Sequence, residues 1–155
     1  MYNIDYSWNW GHGAAFAGAF IMMMLFMVIL SVGVYVLTSL FLMKLFKKAG
    51  IKEWQAWVPF LNMWRFLELG GQQGWLVLLP LLSFIPVIGW VGAIVSYVFM
   101  VIAAYNIGKK LDKSEGFVVL YIFLSIVWLG ICGFDKSKWN EAKGAKSLIP
   151  IKPAK

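Results

Sequence analysis

Charge is what this sequence has least of. Only 14% of its 155 residues are Asp, Glu, Lys or Arg, against about 25% in soluble domains. Hydrophobic residues make up 61%, and a soluble core this short could not hide them. A water-soluble domain is thereby excluded, and lipid must cover the surplus. Cysteine occurs once, at Cys132, which excludes an intramolecular disulfide and a multi-cysteine metal site. At the end of an apolar run it reads as a small packed hydrophobe. Histidine also occurs once, at His12, where it reads as polar surface. No catalytic residue, cofactor or metal ligand is expected. Residues 69–108 contain no Asp, Glu, Lys, Arg or His, and Pro80, Pro86 and Gly89 interrupt them. That run is too long for one membrane crossing of about 20 residues and barely enough for two.

The charges that exist sit between or outside the apolar runs. Residues 44–68 carry five bases and two acids, residues 109–115 three bases and two acids, and residues 135–155 six bases and two acids. The N-terminal twelve carry one acid, Asp5. Tyr2, Tyr6, Trp8 and Trp10 there suit the headgroup region, and the positive start of a cleaved signal peptide is lacking.

The spacing predicts an all-α, polytopic membrane fold with about four membrane segments and one interfacial amphipathic helix. Residues 13–43 form the first crossing, longer than needed, so tilted or extended beyond the bilayer. Ala14 with Gly18 and Ala15 with Ala19 give it a close-packing face. Met22, Met23, Met24 and Met27 read as packing filler. Lys44, Lys47, Lys48 and Lys52 follow at once and read as cytoplasmic. They attract anionic lipid and are too few, and too close to the span, for nucleic acid. Pro59 suits the first turn of a helix. Beyond it, Phe60, Met63, Trp64 and Leu67 follow the spacing of one apolar face, opposite Asn62 and Arg65. That helix is too short to span and is expected to lie in the interface.

Residues 75–85 reach only about 17 Å as an α-helix, short of the hydrocarbon core of about 30 Å. This second segment crosses with help from its flanks or turns back. Residues 86–108 span comfortably, and Gly89, Gly92, Ala93 and Ser96 form a small-residue face for helix packing, either against the chain's own first helix at Ala14 to Ala19 or against a second protein chain. Residues 116–134 have the length of a further crossing. The domain expectation is a single membrane domain over 1–134 and a flexible, polar, lysine-rich tail over 135–155, with a short ordered start near Trp139. The topology expectation is N-terminus outside, both basic loops inside and the tail outside. The tail's own positive charge argues against that last placement, and its side changes if residues 116–134 turn back as a re-entrant or if the second segment does not cross. A repeat is also visible: residues 74–79, GWLVLL, align with residues 116–121, GFVVLY, at an offset of forty-two.

Several of these residues carry a resemblance. Lys47-Lys48-Ala49-Gly50, Trp57-Val58-Pro59-Phe60-Leu61-Asn62, Gly74-Trp75, Ile85-Pro86, Ile107-Gly108-Lys109-Lys110, Gly116-Phe117 and Gly133-Phe134-Asp135 occur in that order. Over residues 44–139 the chain resembles a family of small bacterial membrane proteins of unknown function, often labelled signal peptidase I. In that pattern a proline is followed three residues on by asparagine, twice; Asn62 keeps the first and Gly89 replaces the second. True members of that peptidase family use a serine–lysine dyad on a large extracytoplasmic β-domain, and no segment here is long enough for one. The resemblance implies a bacterial inner-membrane protein and supplies no catalytic residues.

Three function classes follow. The first is a non-enzymatic accessory subunit whose partners are the bilayer and either another protein or a second copy of the chain. The second is a transporter or channel for a neutral or lipid-like solute, for which the apolar runs offer uncharged polar groups such as Ser31, Thr38, Ser83, Ser96, Tyr97, Asn106 and Ser125. The third is an intramembrane enzyme, which lacks a nucleophile with a base in reach. The first accounts for most of the sequence.

Overall fold

A computed structural model describes residues 7–84 and 86–151. The described elements are helical: α1 (Ser7–Ala49), η1 (Glu53–Trp57), α2 (Leu61–Leu69), η2 (Gly74–Phe84), α3 (Pro86–Lys110) and α4 (Phe117–Phe134). η1 and η2 are 3-10 helices. Among the described residues there is no strand. Among the described residues three helices are long and apolar enough to cross a membrane: Gly13–Ala49, Ile88–Lys110 and Phe117–Phe134. The chain is an integral membrane protein.

Two compact units divide it, Met1–Val36 and Leu37–Lys155. Within the first, α1 is apolar on all sides and the side chains of residues 13–34 are exposed. A helix without a polar face belongs in a core or in lipid. Gly18 and Gly33 have no atom near the position a Cβ would take.

The second unit holds the core. Leu42, Leu45 and Phe46 from the end of α1 join Phe66 and Leu67 from α2, Ala103 and Ile107 from α3, and Trp128 and Cys132 from α4. α2 reaches it through a face other than the expected one. Phe60 lies outside the helix and is exposed, Met63 and Trp64 are half-buried, and only Leu67 of the expected four is buried. The buried face carries Asn62, Phe66, Leu67 and Leu69. The reason is the turn at Phe60, which takes that residue off the helix, and the aromatic rings waiting on the other side. Phe66 stacks on Tyr121 at 5.9 Å and meets Trp128 edge-on at 6.1 Å.

η2 is eleven residues long with Pro80 inside it, well beyond the usual three or four of a 3-10 helix. At about 2.0 Å per residue it extends about 22 Å, farther than the α-helical expectation yet short of the hydrocarbon core. α3 runs back beside it. A Cβ on Gly92 would lie 2.9 Å from the Leu79 carbonyl oxygen, and one on Gly70 would overlap Ala103. Gly89, Gly92 and Ser96 are buried, while Ala93 is exposed. At the described positions, the small-residue strip therefore receives η2.

α4 has the length and composition of a crossing, but it does not run straight. Leu124 interrupts it with φ −139° and ψ 60°. The rings of Phe117 and Trp128 lie 5.8 Å apart, and those of Tyr121 and Trp128 5.2 Å. In a continuous helix eleven residues advance about 16 Å, so the second half has folded back along the first. Lys113, just before α4, pairs with Asp135, just after it. Lys48 donates to the carbonyls of Cys132 and Asp135. Both ends of α4 thus lie at the lysine-bearing ends of α1 and α3, and the expected single crossing becomes a hairpin tipped by exposed Phe123 and Leu124. Gly74 and Gly116, matched in the repeat, each precede an apolar segment whose chain then doubles back.

Candidate membrane-interface site

Polar chemistry gathers where the charged loops meet, in two places. The first is centred on Lys110, the last residue of α3. Its side chain has no solvent exposure. Nζ donates to the Leu69 carbonyl at 2.8 Å, to Ser147 Oγ at 2.7 Å and to Glu141 Oε1 at 3.0 Å. An ammonium has three protons, and each has an acceptor. The Trp139 ring lies over it, 5.4 Å from Nζ to the centroid. Glu141 is itself held by the Trp139 indole N–H at 3.0 Å and by the Ser147 backbone N–H.

The tail expected to be flexible is therefore a strap. Its backbone binds the helices directly: the Asn140 N–H donates to Lys110 O at 2.8 Å and the Leu148 N–H to Glu68 O at 3.0 Å. Asn106, buried in α3, donates to Gly70 O at 2.8 Å and accepts from the Ala145 N–H at 3.4 Å. Gly144, at φ +82°, has Asn106 O where a side chain would stand. Lys143 pairs with Asp112 across the same surface. Sequence reasoning missed this cluster because Lys110 ends an apolar run like any loop lysine. Only Trp139, an aromatic amid polar residues, signalled order there.

Ser147 and Lys110 are a serine and a lysine in hydrogen-bond contact: Lys110 donates to Ser147 Oγ, and Ser147 Oγ donates to Leu69 O at 3.1 Å.

The second place is the turn before α2. Phe60 has φ 63° and ψ −43°, and the Leu61 N–H donates to Pro59 O at 2.7 Å. This is the strained γ-turn, rare for a bulky side chain. Phe60 there is 58% exposed, as are Trp54 and Trp57 of η1 at 56% and 41%. Asn62 turns inward, its Oδ1 accepting from the Met63 N–H at 2.6 Å and its Nδ2 donating to Ala56 O at 3.5 Å. Trp64 donates to Glu68 at 2.9 Å, and Gly74 lies so close that a Cβ would overlap the Trp64 ring.

Of the polar groups named inside the apolar runs, several are used for packing. Ser31 donates to Met27 O at 2.8 Å and Tyr97 to Ile122 O at 3.5 Å. Asn106 is occupied as above. The side chains of His12 and Ser83 lie outside the described residues.

Residues 54–142 match the model of a family of unknown function, DUF5684. The match includes η1, the γ-turn, the α4 hairpin and the start of the strap. No curated protein and no solved structure matches the chain.

Proposed function

The chain belongs to this family of unknown function, and from that premise we propose that it is a non-enzymatic accessory subunit of a bacterial inner membrane. The observation that carries the reading is the exposed first half of α1. Its residues 13–30 are uncharged and exposed, and Ala14, Gly18, Ala15 and Ala19 offer a small-residue face for a partner's transmembrane helix. Small residues permit close backbone approach, where packing contributes what lipid supplies less well. On α3, the small-residue face expected to take either the first helix or a second chain is occupied at Gly92 by Leu79 of η2. The occupied hydrogen bonds of Lys110 and Ser147 support the non-enzymatic part.

The lysine-bearing ends face the cytoplasm in this reading, because basic residues close to spans are retained there. With α4 as a hairpin, the strap joins the two basic loops on that side. The conflict between tail charge and tail placement then disappears.

A transporter for a lipid-like solute is the second reading. It is favoured by a cavity of about 620 Å³ between η2 and α3, with Gln72 and Gln73 at one end and Leu76, Leu79 and Phe99 along it. Gly18→Leu, introduced into the full chain and purified in mild detergent, separates the two. The subunit reading expects loss of a stoichiometric copurifying chain with normal accumulation of the protein. A wild-type protein that carries a bound solute and no second chain supports transport instead.

A further inference from the structure

A cavity of about 230 Å³ opens between η1, the start of α2 and the end of the strap. It is lined by Gly50, Ile51, Lys52, Gln55, Arg65, Ile149 and Pro150. Its polar lining is the Lys52 ammonium, the Arg65 guanidinium and the Gln55 amide, two cations and one neutral group, which suits an anion. No acid lines it. Glu68 is engaged by Arg65 Nη1 at 2.7 Å and by the Trp64 indole. Glu53 is engaged by Lys47 at 3.2 Å. Lys52 is exposed at the cavity's edge.

The cavity's location narrows the occupant. Trp54 and Trp57 lie on the same η1 as Gln55, and Phe60 is held outward just beyond. Exposed aromatic side chains at the end of a spanning helix sit among lipid headgroups. The cavity therefore faces the headgroup layer, where phosphate is the abundant anion. A phosphate suits Lys52 and the Arg65 guanidinium, and a neighbouring hydroxyl suits the neutral Gln55 amide. We propose that the cavity between Lys52, Gln55 and Arg65 binds the headgroup of an anionic, hydroxyl-bearing glycerophospholipid in the leaflet facing the lysine-rich loops. The proposal is independent of whether the chain serves a partner or a solute.

The test uses native mass spectrometry of the full chain in mild detergent, titrated with phosphatidylglycerol or phosphatidylcholine. One phosphatidylglycerol per chain should be retained in preference to phosphatidylcholine. Lys52→Ala should cut that preference about fivefold, the contribution of one basic residue near an anionic surface. Arg65→Gln and Gln55→Leu should each weaken it, while Lys146→Ala, which removes an equal but distant charge, should not. Lys52 is exposed, so its variant keeps the test valid should Arg65→Gln fail to fold. Equal retention of both lipids overturns the proposal, as does an equal effect of Lys146→Ala. Binding of free glycerol phosphate without retention of phosphatidylglycerol overturns the lipid assignment.

Discussion

The rings of Phe117 and Trp128 lie 5.8 Å apart across eleven residues of a single apolar run. That contact closes the α4 hairpin and returns the chain to Lys113, whose ammonium pairs with Asp135. Everything after α4 follows from that return, including the strap across α2 and α3.

The fit of η2 against α3 gives the first expectation. With the Leu79 carbonyl 2.9 Å from where a Cβ on Gly92 would stand, Gly92→Leu must push the two segments apart. Overpacking of this kind costs about 1–3 kcal/mol. Thermal denaturation in detergent should show a lowered midpoint, and crosslinking to other chains should be unchanged. An unaltered midpoint with lost crosslinking would return this face to the role of a docking surface.

Lys110→Met should release the strap. It removes an ammonium with three acceptors and leaves Glu141 without its cation, a change worth about 3 kcal/mol. Hydrogen exchange across residues 136–151 should rise sharply while α3 itself stays protected. Protection unchanged in the strap would mean that Lys110 does not hold it.

Acid should act on the same contact. Burial raises the Glu141 carboxyl, but the Ser147 N–H and the Lys110 ammonium outweigh it and hold the group below its ordinary value. A carboxyl lowered in the fold contributes stability that is present above its unfolded value of about 4.3 and fades as pH falls through the folded value. Asp135, lowered mainly by its hydrogen bond from Lys113, fades in the same direction. Strap protection should therefore be flat from neutral pH to about 5 and decline below about 4. Glu141→Gln should flatten that decline. A loss of protection on raising pH through neutrality would contradict this assignment.

Much of the fold was legible in the chain. Absence of charge marks α1, α3 and α4 as membrane segments, and lysines mark their ends. The γ-turn was not legible: Pro59 reads as the first turn of a helix, and Phe60 fits the apolar spacing of a helix that does not include it. The α4 hairpin was hidden for a simple reason: residues 116–134 contain neither proline nor charge at Leu124, and hydropathy is blind to a bend in a uniformly apolar run. The positive charge of the tail was the one hint, since a re-entrant 116–134 returns the tail to the side of the basic loops. Lys110 and Glu141 were unreadable because thirty-one positions separate them and nothing local shows that either is buried.

The most direct test of the account is on which side of the membrane the strap lies. In a Cys132→Ala background, Lys52→Cys and Lys146→Cys each place one exposed thiol, the first before η1 and the second on the strap. Labelling with a membrane-impermeant maleimide in sealed vesicles of known orientation should modify both from the same face, the cytoplasmic one. Modification of the two positions from opposite faces would mean that α4 crosses the bilayer, and the hairpin account would be contradicted.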